Sequence, residues 1–264
     1  MEYKMTRFSL FRNFLAPSNY FSLLLSLLCL SVIGPLLNAS LIGRFFESAF
    51  VLLLVLSISR SVTQNPFEWW LVLLGGMSAW LLINLGNLFP VAPFNTAVFE
   101  VFSLIACMSF LISGFLVIAR DVFSGEVTAN RICGALCLYI LLGAIFALIF
   151  AAIDVLDPAA FRVDEHFKPY FNMEGGMNYR ERFSLLVYFS FVTLSTVGFG
   201  DISPISRFAR NFTWLEAVSG QLYLSVMVAR LVGLHLVNAA SKSSTVPAVA
   251  LQSSEKEPES DVGA

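Results

Sequence analysis

Between residues 196 and 201 the chain reads Thr196-Val197-Gly198-Phe199-Gly200-Asp201. Glycines two apart suit a strand whose residues alternate in handedness, because glycine takes a positive φ without steric penalty. In such a strand successive carbonyl oxygens turn toward one axis. The side chains of Val197 and Phe199 then turn away from that axis into supporting protein, and the Thr196 hydroxyl adds one more oxygen at the inner end. A row of oxygens of this kind replaces the water around a dehydrated cation. The chemistry on offer is coordination by Thr196, Val197, Gly198, Phe199 and Gly200 rather than bond making. No catalytic constellation competes with it: the 2 histidines, His166 and His235, stand far apart, and neither gathers a nucleophile, a base and an orienting group. No metal-ligand spacing occurs either, so the chain reads as a non-enzyme with no catalytic residue and no cofactor.

A carbonyl row needs a scaffold, and the composition says of what kind. The chain has 264 residues, 57% hydrophobic and only 13% charged, which is outside the range of soluble globular proteins and points to a polytopic membrane protein. A net charge of −2 and the absence of a basic stripe with interleaved aromatics exclude nucleic acid as a partner. Cys29, Cys107, Cys133 and Cys137 all lie in apolar segments, so no disulfide framework is implied. Cys133 and Cys137 share a helix face but have no histidine or carboxylate near them in sequence, which makes them packing residues.

Residues 1–19 place Lys4, Arg7 and Arg12 among Phe8, Leu10, Phe11, Phe14 and Leu15, a pattern suited to a cytoplasmic membrane surface. Apolar runs follow at 20–37, 41–58, 69–89, 98–119, 132–155 and 212–237, each near the roughly 20 helical residues that cross a bilayer. The segment 183–195 has the length of half a crossing. The run 20–37 is read as an uncleaved first span, because the apolar region of a signal peptide is shorter, roughly 7–15 residues. In the second run Arg44 and Glu47 share one helical face and are placed to pair near the interface. The fourth run has only Glu100 near one end and Arg120 at the other, without the spaced arginines of a voltage sensor, so no steep voltage dependence is expected. Positive-inside counting puts both termini in the cytoplasm and the loop 188–204 outside. The expected fold class is an all-α membrane protein with about six transmembrane helices and a re-entrant helix and loop between the last two. Its parts are a cytoplasmic segment (1–19), a four-span bundle (20–120), a pore domain (132–238) and a disordered tail (239–264) rich in Ser, Pro and Glu.

Thr-Val-Gly-Phe-Gly-Asp resembles the selectivity filter of potassium channels, in which four loops surround the ion. With one copy per chain, the resemblance implies a homotetramer. It implies K⁺ as the permeant ion, held at Thr196, Val197, Gly198 and Phe199, and it makes the bilayer and further copies of the chain the partners. It also implies a multi-pass protein of the plasma membrane, specifically a bacterial inner membrane. Phe199 stands where the commonest form has tyrosine, which removes a hydroxyl that ties the filter to its surroundings. Val192 stands where some bacterial channels carry a glutamate paired with the aspartate after the filter, so Asp201 is expected to lack that partner. The half-span before the filter is expected to be a pore helix whose carbonyl end favours a cation in the cavity, with Thr193 and Ser195 holding the turn through hydroxyl bonds.

The segment from Trp214 to Leu234 looks like the inner helix of small bacterial potassium channels. Gly220 matches the glycine at which such helices bend; in physical terms it is either a hinge or a close-packing site. Gln221, Leu224, Ser225, Val228 and Val232 form one stripe. The stripe either packs on the fifth span or, as the resemblance implies, lines the cavity with an apolar constriction. Glu216 is a costly intramembrane carboxylate. It is expected to support the filter together with Asp201, Thr193 and Ser195, through a hydrogen bond to Tyr188 or Thr193; the alternative is a carboxylate at the membrane interface. Two further functional readings stand beside a potassium channel: a weakly selective cation pore, and a non-conducting sensor on a channel-like scaffold.

Overall fold

A computed structural model describes residues 20–37, 74–78, 81, 96–124, 128–164 and 179–244. The amino-terminal segment 1–19, the run 41–58, most of 69–89 and the tail beyond Ser244 lie outside the described residues. The elements run α1 (Tyr20–Leu37), α2 (Thr96–Ser124), α3 (Ala129–Leu156), β1 (Phe161–Val163), α4 (Tyr179–Leu194), β2 (Ile202–Pro204) and α5 (Arg207–Ser244). Three stretches among them are long and apolar enough to cross a membrane: Val101–Ser124, Ala129–Leu156 and Arg207–Gly233. The protein is a mostly helical membrane protein. The two-stranded sheet is an addition to the all-α expectation.

Local chemistry sets the helix ends. Thr128 caps α3, its hydroxyl accepting from the Arg131 N–H at 3.3 Å. The helix stops at Asp157, which precedes Pro158 and takes a φ of −138°, because the proline ring disfavours helical backbone in the residue before it. The Asp157 carboxylate then accepts from the Ala159 N–H at 3.2 Å, closing the turn. Helix α5 begins at Arg207, five residues ahead of the expected Phe212, because the Ser206 hydroxyl accepts from the Ala209 N–H at 3.1 Å. It also runs past the expected end at Val237 to Ser244. No glycine or proline intervenes between Gly233 and Pro247, and Ala239 and Ala240 favour helix.

The chain divides into two units, Met1–Tyr223 and Leu224–Ala264. In the first, the core joins α2, α3, α4 and β2 through buried Leu104, Phe146, Phe150, Leu185, Leu186, Phe189 and Ile202. Phe150, Phe161 and Phe189 meet edge to face, with ring centroids 5.2–5.6 Å apart, the geometry that suits the ring quadrupoles. Within a membrane such contacts act through packing, since lipid tails are as apolar as the side chains. Small residues therefore matter at close approaches: a Cβ on Gly143 of α3 would lie 2.9 Å from the Phe191 ring of α4. At the other end of α3, Tyr20 ties α1 in, its hydroxyl donating to Asp121 at 2.6 Å and its N–H to Asn130 at 2.9 Å. The described part of the second unit continues α5, where Leu224, Val226, Val228 and Val232 are exposed.

β1 and β2 pair antiparallel, with Phe161 opposite Pro204, Arg162 opposite Ser203 and Val163 opposite Ile202. The Asp164 N–H donates to the Asp201 carbonyl at 2.8 Å, and the Ile205 N–H to Ala160 at 2.7 Å. The segment leaving α3 thus splints the chain just after Gly200.

Candidate functional site

Residues 195–201 connect the end of α4 to β2. φ is positive at Thr196 (59°), Gly198 (57°) and Gly200 (81°) and at no other described residue of that connection, so the backbone alternates in handedness from 196 to 200. Glycine takes this without strain, whereas Thr196 takes it at a cost of roughly 1–3 kcal/mol, the kind of strain that structures retain at functional sites. The N–H groups of the first half of the segment are tied back to α4. Thr196 donates to the Thr193 carbonyl at 2.9 Å, and Val197 and Gly198 donate to the Val192 carbonyl at 3.0 and 3.4 Å. Among the described residues no hydrogen bond ends on the carbonyl oxygens of Thr196 to Gly200. Each is a strong acceptor left open. Val197 is 53% and Phe199 70% exposed within the single chain, which leaves two large apolar side chains uncovered.

Several groups fix the base of this segment. Ser195 turns its hydroxyl onto the Phe191 carbonyl at 2.6 Å, and Thr193 contributes its carbonyl to the Thr196 N–H. The Tyr139 hydroxyl of α3 donates to the Leu194 carbonyl at 3.2 Å. From α5, Gln221 reaches the Thr196 hydroxyl at 3.4 Å through its amide nitrogen. Gly220 abuts Leu194: a Cβ there would stand 2.6 Å from the Leu194 carbonyl oxygen, a close-packing role. Tyr223 holds α5 to α3, donating to the Ala135 carbonyl at 2.5 Å and leaning on the Tyr139 ring at 5.8 Å.

Asp201 has no glutamate partner at position 192, where the chain carries valine, and is held instead by Tyr188. The Tyr188 hydroxyl donates to its carboxylate at 2.7 Å, while the other carboxylate oxygen accepts from the Ile202 N–H at 3.0 Å. Partial burial, then the bond to Asp201, pushes the Tyr188 phenol up to about 12, so it stays a donor at neutral pH. Tyr188 lies one turn before Val192 on α4, and its long side chain reaches Asp201 from there, where valine cannot. Glu216 is fully buried within the chain, and its partner is neither Tyr188 nor Thr193 but the Ser190 hydroxyl at 2.5 Å. Ser190 and Tyr188 lie on different faces of α4, and the face turned to α5 is that of Ser190.

One group had no place in the sequence reading. Asp154, near the end of α3, forms a two-pronged ion pair with Arg182 in the first turn of α4, including an Arg182 Nε donation at 2.8 Å. The same guanidinium donates to the Pro158 carbonyl at 3.0 Å. A carboxylate inside an apolar run is expensive unless partnered, and that was the available signal. Leu224, Ser225, Val228 and Val232 are exposed along α5 in the second unit.

The segment from residue 135 to 234 matches the sequence model of a family described as Ion channel. Over that stretch, which holds most of α3, α4, the 195–201 connection and most of α5, the chain is similar to ion channels. Comparison with curated proteins gives no match for the chain.

Proposed function

We propose that the protein is one subunit of a homotetrameric channel that conducts K⁺ passively and selectively, with Thr196 to Gly200 as its filter. The observation that carries this reading is the run of open carbonyls on a backbone of alternating handedness, with the N–H groups of Thr196, Val197 and Gly198 tied back to α4. One strand cannot enclose an ion; four around an axis can, and in that assembly the uncovered Val197 and Phe199 gain neighbours. Irregular backbone at membrane depth is tolerated where it is buried in protein or lines water, a condition that the tetramer meets. K⁺ is the transported ion in this reading, not a resident cofactor, and the protein is not an enzyme. In a plasma membrane of bacterial type, with both termini cytoplasmic, the filter faces outward. Within α5, the apolar positions Leu224, Val228 and Val232 then supply a constriction that gates by dewetting.

The test is flux through the purified protein in liposomes under K⁺ and Na⁺ gradients. K⁺ flux well above Na⁺ flux supports the reading. Equal fluxes replace it with a weakly selective pore, and no flux of either ion under any driving force replaces it with a non-conducting membrane protein.

A further inference from the structure

Ser190 lies in the middle of a chain of three oxygens. Its hydroxyl is 2.7 Å from the Gly143 carbonyl on α3 and 2.5 Å from the Glu216 carboxyl on α5. A serine hydroxyl has one proton to give. The Gly143 carbonyl only accepts, so that contact is a hydrogen bond when the serine proton points to it. The contact with Glu216 is then a hydrogen bond only when the carboxyl brings a proton of its own. With an ionised carboxylate, one of the two contacts sets lone pairs against each other.

The surroundings point the same way. Ser190 and Glu216 are both 0% exposed. The second carboxyl oxygen of Glu216, Oε2, is buried without a hydrogen-bond partner, and among the described residues no arginine or lysine forms an ion pair with it. The titratable group facing it from α3 is Tyr139, whose hydroxyl is committed to the Leu194 carbonyl. A buried carboxylate with one contact and no cation is far costlier than a neutral acid whose spare oxygen is carbonyl-like.

We propose that Glu216 works as a neutral carboxylic acid: a hydrogen-bond donor that fastens α5 to the pore helix through Ser190 and thereby positions the filter. The placement gives it leverage. Glu216 and Gly220 are one turn apart on α5, and they meet Ser190 and Leu194, one turn apart on α4. The two contacts form a two-rung ladder that ends immediately before Ser195 and Thr196. Glu216 is a positioning residue in this account; it touches no filter carbonyl. Its effect on conduction rests on the channel reading, whereas its protonation does not.

The test combines a spectrum with a rescue. Infrared spectroscopy of the purified protein at neutral pH is expected to show a protonated-carboxyl C=O band that moves in D₂O, disappears in Glu216→Gln and moves upward in Ser190→Ala. Glu216→Gln keeps a donor for Ser190 in its amide and is expected to hold the K⁺/Na⁺ flux ratio within about twofold. Glu216→Ala, with no donor, lowers the ratio by about fivefold or more, the equivalent of one hydrogen bond. Absence of the band, or a Gln variant as impaired as the Ala variant, overturns the proposal. A band that behaves as described in a protein carrying no ion flux leaves the neutral acid standing and removes the channel reading instead.

Discussion

Replacing Gly220 with alanine separates two roles that a glycine in an inner helix can have. The added Cβ would stand 2.6 Å from the Leu194 carbonyl oxygen and 3.0 Å from its Cδ1. Carbon–oxygen contacts between packed backbones settle at about 3.3–3.6 Å, so relief requires α5 and the end of α4 to part by about 0.7 Å. The carbonyl cannot swing away like a flexible side chain, because it belongs to the residue that leads into Ser195 and Thr196 and it accepts from Tyr139. Overpacking of this kind costs about 1–3 kcal/mol per site. Per chain that is a sizeable part of a marginal stability of about 5–15 kcal/mol, and in the proposed tetramer it recurs at each subunit. Functional constellations need positioning to within about 0.5 Å, and the displacement exceeds that. Thermal unfolding of the purified assembly and the liposome K⁺/Na⁺ flux ratio are the assays. The variant is expected to melt clearly lower and to lose selectivity together. A variant that melts like the parent and stays selective, while opening less often, would refute the packing argument and make Gly220 a hinge.

Two further perturbations test the supports around the proposed filter. Tyr188→Phe removes the donor to Asp201 and is expected to lower the K⁺/Na⁺ ratio and destabilise the assembly by about 1 kcal/mol per subunit, the typical net value of a hydrogen bond in a half-exposed setting. Because the folded phenol titrates higher than the free one, this stabilisation is complete below about pH 10 and is lost as pH rises through about 12; melting followed over that range is expected to show the loss in the parent and not in the variant. Asp154→Asn leaves Arg182 half-paired at the junction of α3 and α4 and is expected to cost about 3 kcal/mol, with a double-mutant cycle against Arg182→Gln showing strong coupling.

The parts of this architecture that were legible in the sequence are those encoded locally. The apolar run 20–37 and helix α1 share the same ends, and a helix stands at Tyr179–Leu194 where the short segment 183–195 was read, because hydropathy and helix length are read along the chain. The glycine spacing at 198 and 200 indicated alternating handedness, and the φ values at 196, 198 and 200 have it, since only the backbone is involved. Contacts set by tertiary geometry were not legible. Tyr188 reaches Asp201 across 13 residues and Ser190 reaches Glu216 across 26, distances over which no helical period reports. The paired strands are three residues each and include Pro204, and Phe161 of β1 packs on Phe150 and Phe189, a contact that sequence does not report. The early start of α5 was readable in principle, since Ser206 precedes its first turn as a cap should.

Coordination of a dehydrated K⁺ by the open carbonyls of Thr196 to Gly200, as proposed, is measured by calorimetry as ion binding to the purified protein. K⁺ titrated into protein held in an inert cation is expected to give a saturable binding heat that Na⁺ does not reproduce at equal concentration. In Gly198→Ala the added Cβ meets nothing within 4 Å inside its own chain, and the backbone at φ 57° costs an alanine about 1–2 kcal/mol. K⁺ binding is therefore expected to weaken by at least about tenfold, the equivalent of that strain in one strand of the proposed tetramer. Equal heats from K⁺ and Na⁺, or K⁺ binding unchanged in Gly198→Ala, would contradict the account.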